Sequence, residues 1–166
     1  MEFILRDWKN SDLESLVKFA NNAKIAGNLT NKFNYPYSKN DGQLFIEMAK
    51  SHSPIQVFAI AIDDVAVGGI GIHKQDDVYC KNMEMGYWLA EPYWGNGIVT
   101  RAIQKVVKYG FETFDITRIF ARPYGPNRAS QRVLEKAGFT LEARIEKSFY
   151  KNDEFLDELI YGVRKD

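Results

Sequence analysis

Residues 93–102 read Tyr-Trp-Gly-Asn-Gly-Ile-Val-Thr-Arg-Ala, with two glycines one residue apart where an extended segment gives way to a helix. Such a turn leaves the first N–H groups of the helix without acceptors, at the positive end of its dipole. Glycine lets the chain turn tightly and lets a bulky anion approach the backbone. Gly95, Asn96, Gly97, Ile98, Val99 and Thr100 are therefore a candidate cradle for phosphate oxygens. A dinucleotide-binding turn requires G-x-G-x-x-G/A, and here the third position is Thr100; no Gly-Lys-Ser/Thr follows, which excludes a Walker loop. The same glycines also suit a tight connection that holds no ligand. Upstream, Glu84 is an acid inside an otherwise apolar segment, and downstream Asn127 and Ser130 stand at the head of a second helical pattern. Burial makes a carboxylate a better proton acceptor near neutrality; the alternative is that Glu84 faces solvent or pairs with a cation on a neighbouring strand.

These residues must be positioned by the flanking elements. Apolar residues at 98, 99, 102, 103, 106, 107, 111 and 114 predict one amphipathic helix of about five turns. Residues 83–89, large, apolar and aromatic, predict the strand before it. Elsewhere the pattern predicts strands over 2–8, 55–62, 65–73 and 118–122, and two more within 139–163 turning at Asn152-Asp153. Asn10-Ser11-Asp12 caps a first helix carrying Leu13, Leu16, Val17 and Phe19. Ser38 to Asp41 offers caps for a second, carrying Leu44, Phe45, Met48 and Ala49, and residues 127–136 form the last helix. Residues 28–40 read as a polar, aromatic loop. The sum is a mixed α/β (α+β) domain over 1–166, about seven strands and about four helices, its sheet largely antiparallel.

The chain has 166 residues, with 22 Lys plus Arg balancing 22 Asp plus Glu, and no basic run, which argues against nucleic acid as the main partner. A single cysteine, Cys80, allows neither an intramolecular disulfide nor a zinc site, so no metal is expected. The opening residues lack an apolar stretch of signal-peptide or membrane-span length; a cytoplasmic protein without a membrane partner is expected. The oligomeric state, monomer or homodimer, is left open.

The segment 127–139, Asn-Arg-Ala-Ser-Gln-Arg-Val-Leu-Glu-Lys-Ala-Gly-Phe, resembles the second cofactor motif of GNAT-type N-acetyltransferases, in particular their ribosomal-protein N-terminal acetyltransferase branch (RimJ/RimL-like). Residues 84–89 and 93–97 look like that branch's fourth strand and pyrophosphate loop, and Asp157 like a position it often keeps. The motifs occur in the order the family requires. Pro92 stands where the family usually has Gln or Arg, and Arg101 where the branch often has Glu.

The resemblance implies a GNAT-like domain splayed in the middle of its sheet and an acetyl-CoA-dependent N-acyltransferase. By similarity, the backbone of Trp88, Leu89 and Ala90 pairs with the pantetheine arm, and the Leu89 N–H polarises the thioester carbonyl. Gly95 to Thr100 hold the pyrophosphate, Asn127 bonds pantetheine, and Ser130 helps protonate the departing sulfur. Glu84 leads as base, with His73 as alternative, and Tyr150 is an alternative acid. Cys80 lacks any activating neighbour for a covalent role. The acceptor is a primary amine, best a protein N-terminal α-amine, entering over Asn31, Phe33, Tyr35 and Tyr37 and between the last two strands. A small-molecule amine acetyltransferase and a non-catalytic coenzyme A-binding module are the rival readings.

Overall fold

The structure, a computed structural model, describes residues Met1–Asp166. Its elements in chain order are β1 (Ile4–Arg6), α1 (Leu13–Ala20), α2 (Ala23–Ala26), α3 (Lys39–Lys50), β2 (Val57–Ile62), β3 (Val65–Lys74), β4 (Asn82–Leu89), α4 (Ile98–Thr113), β5 (Arg118–Ala121), α5 (Arg128–Lys136), β6 (Thr140–Lys151) and β7 (Glu154–Arg164). The seven strands pair in the order β1-β2-β3-β4-β5-β7-β6. β1–β2, β2–β3, β5–β7 and β6–β7 are antiparallel; β4 and β5 run parallel through Asn82↔Arg118 to Glu84↔Phe120. The chain divides into two compact units, Met1–Gly71 with Tyr87–Ala102, and Ile72–Gly86 with Ile103–Asp166.

In the first unit, Trp8, Leu16, Ile25, Ile46, Val57 and Trp88 are buried in one apolar cluster. Each such side chain contributes about 1.5–3 kcal/mol when removed from water. The β2–β3 hairpin turns on Asp63 and Asp64, both left-handed (φ 49° and 63°), as a two-residue hairpin turn of matching twist requires. β3 and the end of β4 come so close that a β-carbon at Gly68 would lie 2.5 Å from the Trp88 carbonyl oxygen. Ser38 and Asp41 cap α3 reciprocally, Ser38 Oγ accepting from the Asp41 N–H (3.1 Å) and Asp41 Oδ2 from the Ser38 N–H (2.8 Å).

In the second unit, Ile72, Met83, Ile103, Val106 and Ile119 form the buried face. Gly110 brings α4 against the strands: a β-carbon there would stand 2.9 Å from Ile72 Cδ1 and 3.0 Å from Ile119 Cδ1. Gly138, at φ 96°, follows α5 as its left-handed stop. β6 and β7 meet at Asn152 and Asp153, again both left-handed. β6 is interrupted: its register shifts between Ile145 and Phe149, Lys147 takes φ 48°, and the Lys147 N–H donates to Asp157 Oδ1 at 2.9 Å.

Three local expectations differ from the structure. β1 is three residues long rather than seven, because its continuation is taken up by the buried Trp8 and a 3₁₀ turn at Asn10–Asp12. Asp12 therefore does not cap α1 through its side chain. Its carboxylate, on a residue only 4% exposed, accepts from Arg6 Nη1 (2.8 Å), Arg6 Nη2 (2.9 Å) and the Lys9 N–H (2.8 Å). On α3 the inward residues are Gly42, Ile46 and Ala49, while Leu44 and Met48 are exposed; Gly42 sets this rotation by fitting under Leu13. α2, four residues capped by Asn22, is too short for periodicity to reveal.

The Arg6–Asp12 pair gives a stability test. Asp12→Ala removes the buried partner of the Arg6 guanidinium and leaves it only the exposed Asp64, 2.9 Å away, as a charged partner, and denaturant unfolding should show a loss of about 3 kcal/mol, the low end for breaking a buried pair.

Candidate active site

In the first unit, the chain leaves β4 through a 3₁₀ turn at Glu91–Tyr93 that contains Pro92, then enters α4 through the two glycines. Gly95 (φ 77°) and Gly97 (φ 68°) are both left-handed, and a β-carbon on either would meet nothing within 4 Å. The space over the turn is open on the side where the helix begins. The Arg101 N–H donates to the Gly97 carbonyl at 3.2 Å, which makes Gly97 the first carbonyl of the helical ladder. The N–H groups of Ile98, Val99 and Thr100 lie before that bond and have no acceptor within the helix. Three hydrogen-bond donors, a helix dipole and free approach together make this turn a candidate anion cradle.

The cradle is braced from behind. Asn96 Nδ2 donates to the carbonyls of Tyr93 and Trp94, each at 3.1 Å, so its side chain shapes the turn rather than the ligand. Trp94 Nε1 donates to the Leu89 carbonyl at 2.7 Å. Glu91 accepts from Asn22 Nδ2 at 2.9 Å and pairs with Lys24, contacts that hold its carboxyl below the usual range, Lys24 contributing most. Tyr93 sits edge-on to Phe19, their centroids 6.1 Å apart. Arg101 folds onto the N-terminal segment: Nη2 donates to the Met1 carbonyl (2.6 Å) and the guanidinium covers Phe3 at 5.1 Å.

Trp88, Leu89 and Ala90 are all buried. Of the Ala90 backbone groups, the N–H is taken by the Val67 carbonyl (2.8 Å) and the carbonyl accepts from the Tyr93 N–H (3.0 Å), so only a second carbonyl lone pair is left for a cofactor. Backbone groups alternate along a strand, so the Leu89 N–H points away from β3. The expected acceptor loop is also partly structural. Tyr37 is buried, and burial with the nearby Asp41 charge pushes its phenol up to about 12. Phe33 packs between Tyr37 (5.1 Å) and Trp88 (6.2 Å), leaving Asn31 and Tyr35 exposed.

In the second unit, Asn127 Oδ1 accepts from the Ser130 N–H at 3.2 Å, capping α5. The cap occupies the amide oxygen and leaves the Nδ2 donor for a ligand carbonyl, so capping and ligand binding are compatible. Glu84 is not an isolated buried acid. Its Oε1 and Oε2 accept from Arg122 Nε (2.8 Å) and Nη2 (3.1 Å), and its side chain is 27% exposed. This is the cation-paired alternative that the sequence left open. Arg122 also meets Glu158 at 3.4 Å, and the Glu84 contact raises the guanidinium above its ordinary value. Arg122 escaped the sequence reading because its partner is 38 residues away. Tyr124 was missed too: burial, with the Glu158 charge, lifts its phenol, and its ring packs on Phe149 at 4.4 Å.

The remaining candidates are peripheral. Tyr150 is 57% exposed near the hairpin tip against Phe155, and His73 and Cys80 are exposed on β3 and after a 3₁₀ turn. No three His, Cys, Asp or Glu side chains converge as a metal site, and no helix is long and apolar enough to cross a membrane. Asp157 is a structural anchor. It accepts from the Lys147 N–H and from Arg144 Nε and Nη2 (2.9 and 2.6 Å), which hold its carboxyl below the usual range.

A family model described as the acetyltransferase (GNAT) domain matches residues 2–140. The chain belongs to the GNAT acetyltransferase family. Relatives include the N-acetyltransferase YoaA of Bacillus subtilis, 34% identical over 99 residues that span 60% of this chain and 55% of that protein. The ribosomal-protein-serine acetyltransferase of Escherichia coli is 27% identical over 107 residues, 64% of this chain and 59% of that protein. The chain thus spans under two thirds of the length of these curated relatives. Among solved structures, a RimL ribosomal-protein α-N-acetyltransferase in complex with coenzyme A superposes with TM-score 0.85 at 22% identity, covering 99% of both chains. That likeness shows the GNAT fold, with the strand and helix composition expected from the sequence.

The lowered carboxyl of Asp157 has a definite pH signature. Its contribution is present above the ordinary carboxylate pKa and is lost as pH falls through the depressed folded value. Asp157→Asn should therefore destabilise the protein at pH 6, and the gap to wild type should close as thermal unfolding is followed below the ordinary carboxylate range.

Proposed function

We propose that this GNAT protein transfers an acetyl group from acetyl-coenzyme A to a primary amine, the α-amine of a protein N-terminus. The observation that carries the reading is the open left-handed turn at Gly95 and Gly97, backed by the N–H groups of Ile98, Val99 and Thr100. Its donor set fits a diphosphate. The ribosomal-protein acetyltransferases among the relatives and structural neighbours support the α-amine over other acceptors.

Acetyl-coenzyme A supplies a thioester. The residues of the chain then have separate tasks. Gly95 to Thr100 bind the diphosphate through backbone donors, and Asn127 Nδ2 donates to the pantetheine arm. The Leu89 N–H stabilises the oxyanion that develops on the thioester carbonyl. The amine nitrogen bonds to the carbonyl carbon, the C–S bond breaks, one proton leaves the nitrogen and one reaches the sulfur. An N-terminal amine has a pKa of roughly 7.7–8.0 and is already about a tenth neutral near pH 7, whereas a lysine amine at about 10.4 is almost wholly charged. A weak base therefore suffices. Glu84, held in place by Arg122, accepts the proton through water, and the Ser130 hydroxyl serves the departing thiolate.

The test is thiol release from acetyl-coenzyme A with peptides whose α-amine is free or formylated. Release should need the free α-amine, and kcat/KM should climb with pH up to roughly 7.7–8.0 and then level off. Glu84→Gln should lower kcat about 100-fold, at the low end of general-base effects, with coenzyme A affinity unchanged by calorimetry. Release with polyamines or aminoglycosides but with no peptide would replace the N-terminal acceptor by a small amine. Silence with every amine would leave only a coenzyme A-binding module.

A further inference from the structure

Gly86, in the middle of β4, is a glycine that neither crowding nor a left-handed backbone explains. Gly68, Gly69, Gly110, Gly125 and Gly162 are each crowded, with neighbours 1.8–3.0 Å from a would-be β-carbon, and Gly95, Gly97 and Gly138 are left-handed. Gly86 is neither: its φ lies outside the left-handed range and a β-carbon there would meet nothing within 4 Å. Glycine weakens a strand interior, and in a strand it marks a place where a ligand or another backbone approaches closely. Gly86 is exposed, and the β4–β5 ladder has already ended at Glu84.

Residues two apart on a strand share a face, so Gly86 lies beside Glu84. There, Glu84 holds Arg122 through two bonds, Arg122 reaches Glu158 at 3.4 Å, and Ser148 Oγ bonds Glu158 Oε2 at 3.3 Å. Two carboxylates flank one guanidinium, leaving a net negative charge that favours a cationic amine over an anion.

We propose that the bare backbone at Gly86 is the floor over which the amine-bearing end of the acceptor lies, and that the missing side chain sets how bulky that end can be. The inference rests on the acetyl-transfer reading above and names a specificity residue for it. The acceptor backbone passes against β4, with Glu84 and Glu158 supplying the counter-charge as the amine arrives.

Gly86→Ala and Gly86→Val test this, with calorimetry and thermal unfolding on the full chain. The probes are coenzyme A alone and coenzyme A joined through an acetyl bridge on its sulfur to the α-amine of glycyl-glycinamide. Wild type should bind the joined probe about tenfold or more tighter than coenzyme A. Gly86→Ala should keep part of that advantage and Gly86→Val none, while coenzyme A affinity stays constant and melting temperatures do not fall. An equal advantage in all three proteins, no advantage in wild type, or parallel loss of coenzyme A affinity in the variants would overturn the proposal. Failure of wild type to bind coenzyme A at all would instead sink the acetyl-transfer reading, and this inference with it.

Discussion

The local structure around the cradle depends on one backbone constraint: two left-handed residues, one apart, must separate the end of β4 from the start of α4. L-residues with side chains resist that conformation, so Gly95 and Gly97 are dictated by geometry before any ligand is considered. Once the turn is made, the dipole of a sixteen-residue helix is aimed at open space. Asn96, Trp94, Glu91 and Tyr93 are then all committed to holding the turn still. A cradle fixed in advance pays little ordering entropy when an anion arrives.

The second unit is organised around Arg122. A guanidinium is planar and stays charged, and its fork matches a carboxylate bidentately. By gripping Glu84 it fixes the position of that carboxylate, and by reaching Glu158 it joins β4 to β7 electrostatically within the unit. Under the proposed acetyl transfer, the arrangement suits an acceptor that arrives already partly neutral, because it offers charge and hydrogen-bond acceptors rather than a strong base. A demanding amine would call for a buried, unpaired carboxylate, and this unit does not provide one at Glu84.

Much of this was legible in the residues themselves. The glycine turn, the helix beginning at Ile98 and the cap at Asn127 are local features, governed by φ angles and by neighbours within four residues. Both hairpin turns were readable for the same reason, since Asp63-Asp64 and Asn152-Asp153 tolerate left-handed backbone. The illegible parts depended on distant partners. Nothing near Glu84 in the chain announces Arg122, and nothing near Ala90 reveals that Val67 takes its N–H. The rotation of α3 is not legible in the hydrophobic pattern because Gly42, contributing no hydrophobicity, decides which face turns inward by its lack of bulk. Asp12 reads locally as a cap for α1, yet its carboxylate is taken by Arg6 and the Lys9 N–H.

The interruption in β6 bears on how the protein behaves when concentrated. β6 ends the strand order and carries exposed Leu141 and Ile145, a profile that invites another chain to add on edge to edge. The kink at Lys147 spoils that template midway, and a single carboxylate, Asp157, fastens the kink. The safeguard against fibrous self-association is therefore acid-labile. Protonating that one group would loosen the clasp and present a straighter, stickier border, so storage or crystallisation in strongly acidic buffer runs against the way this strand is built.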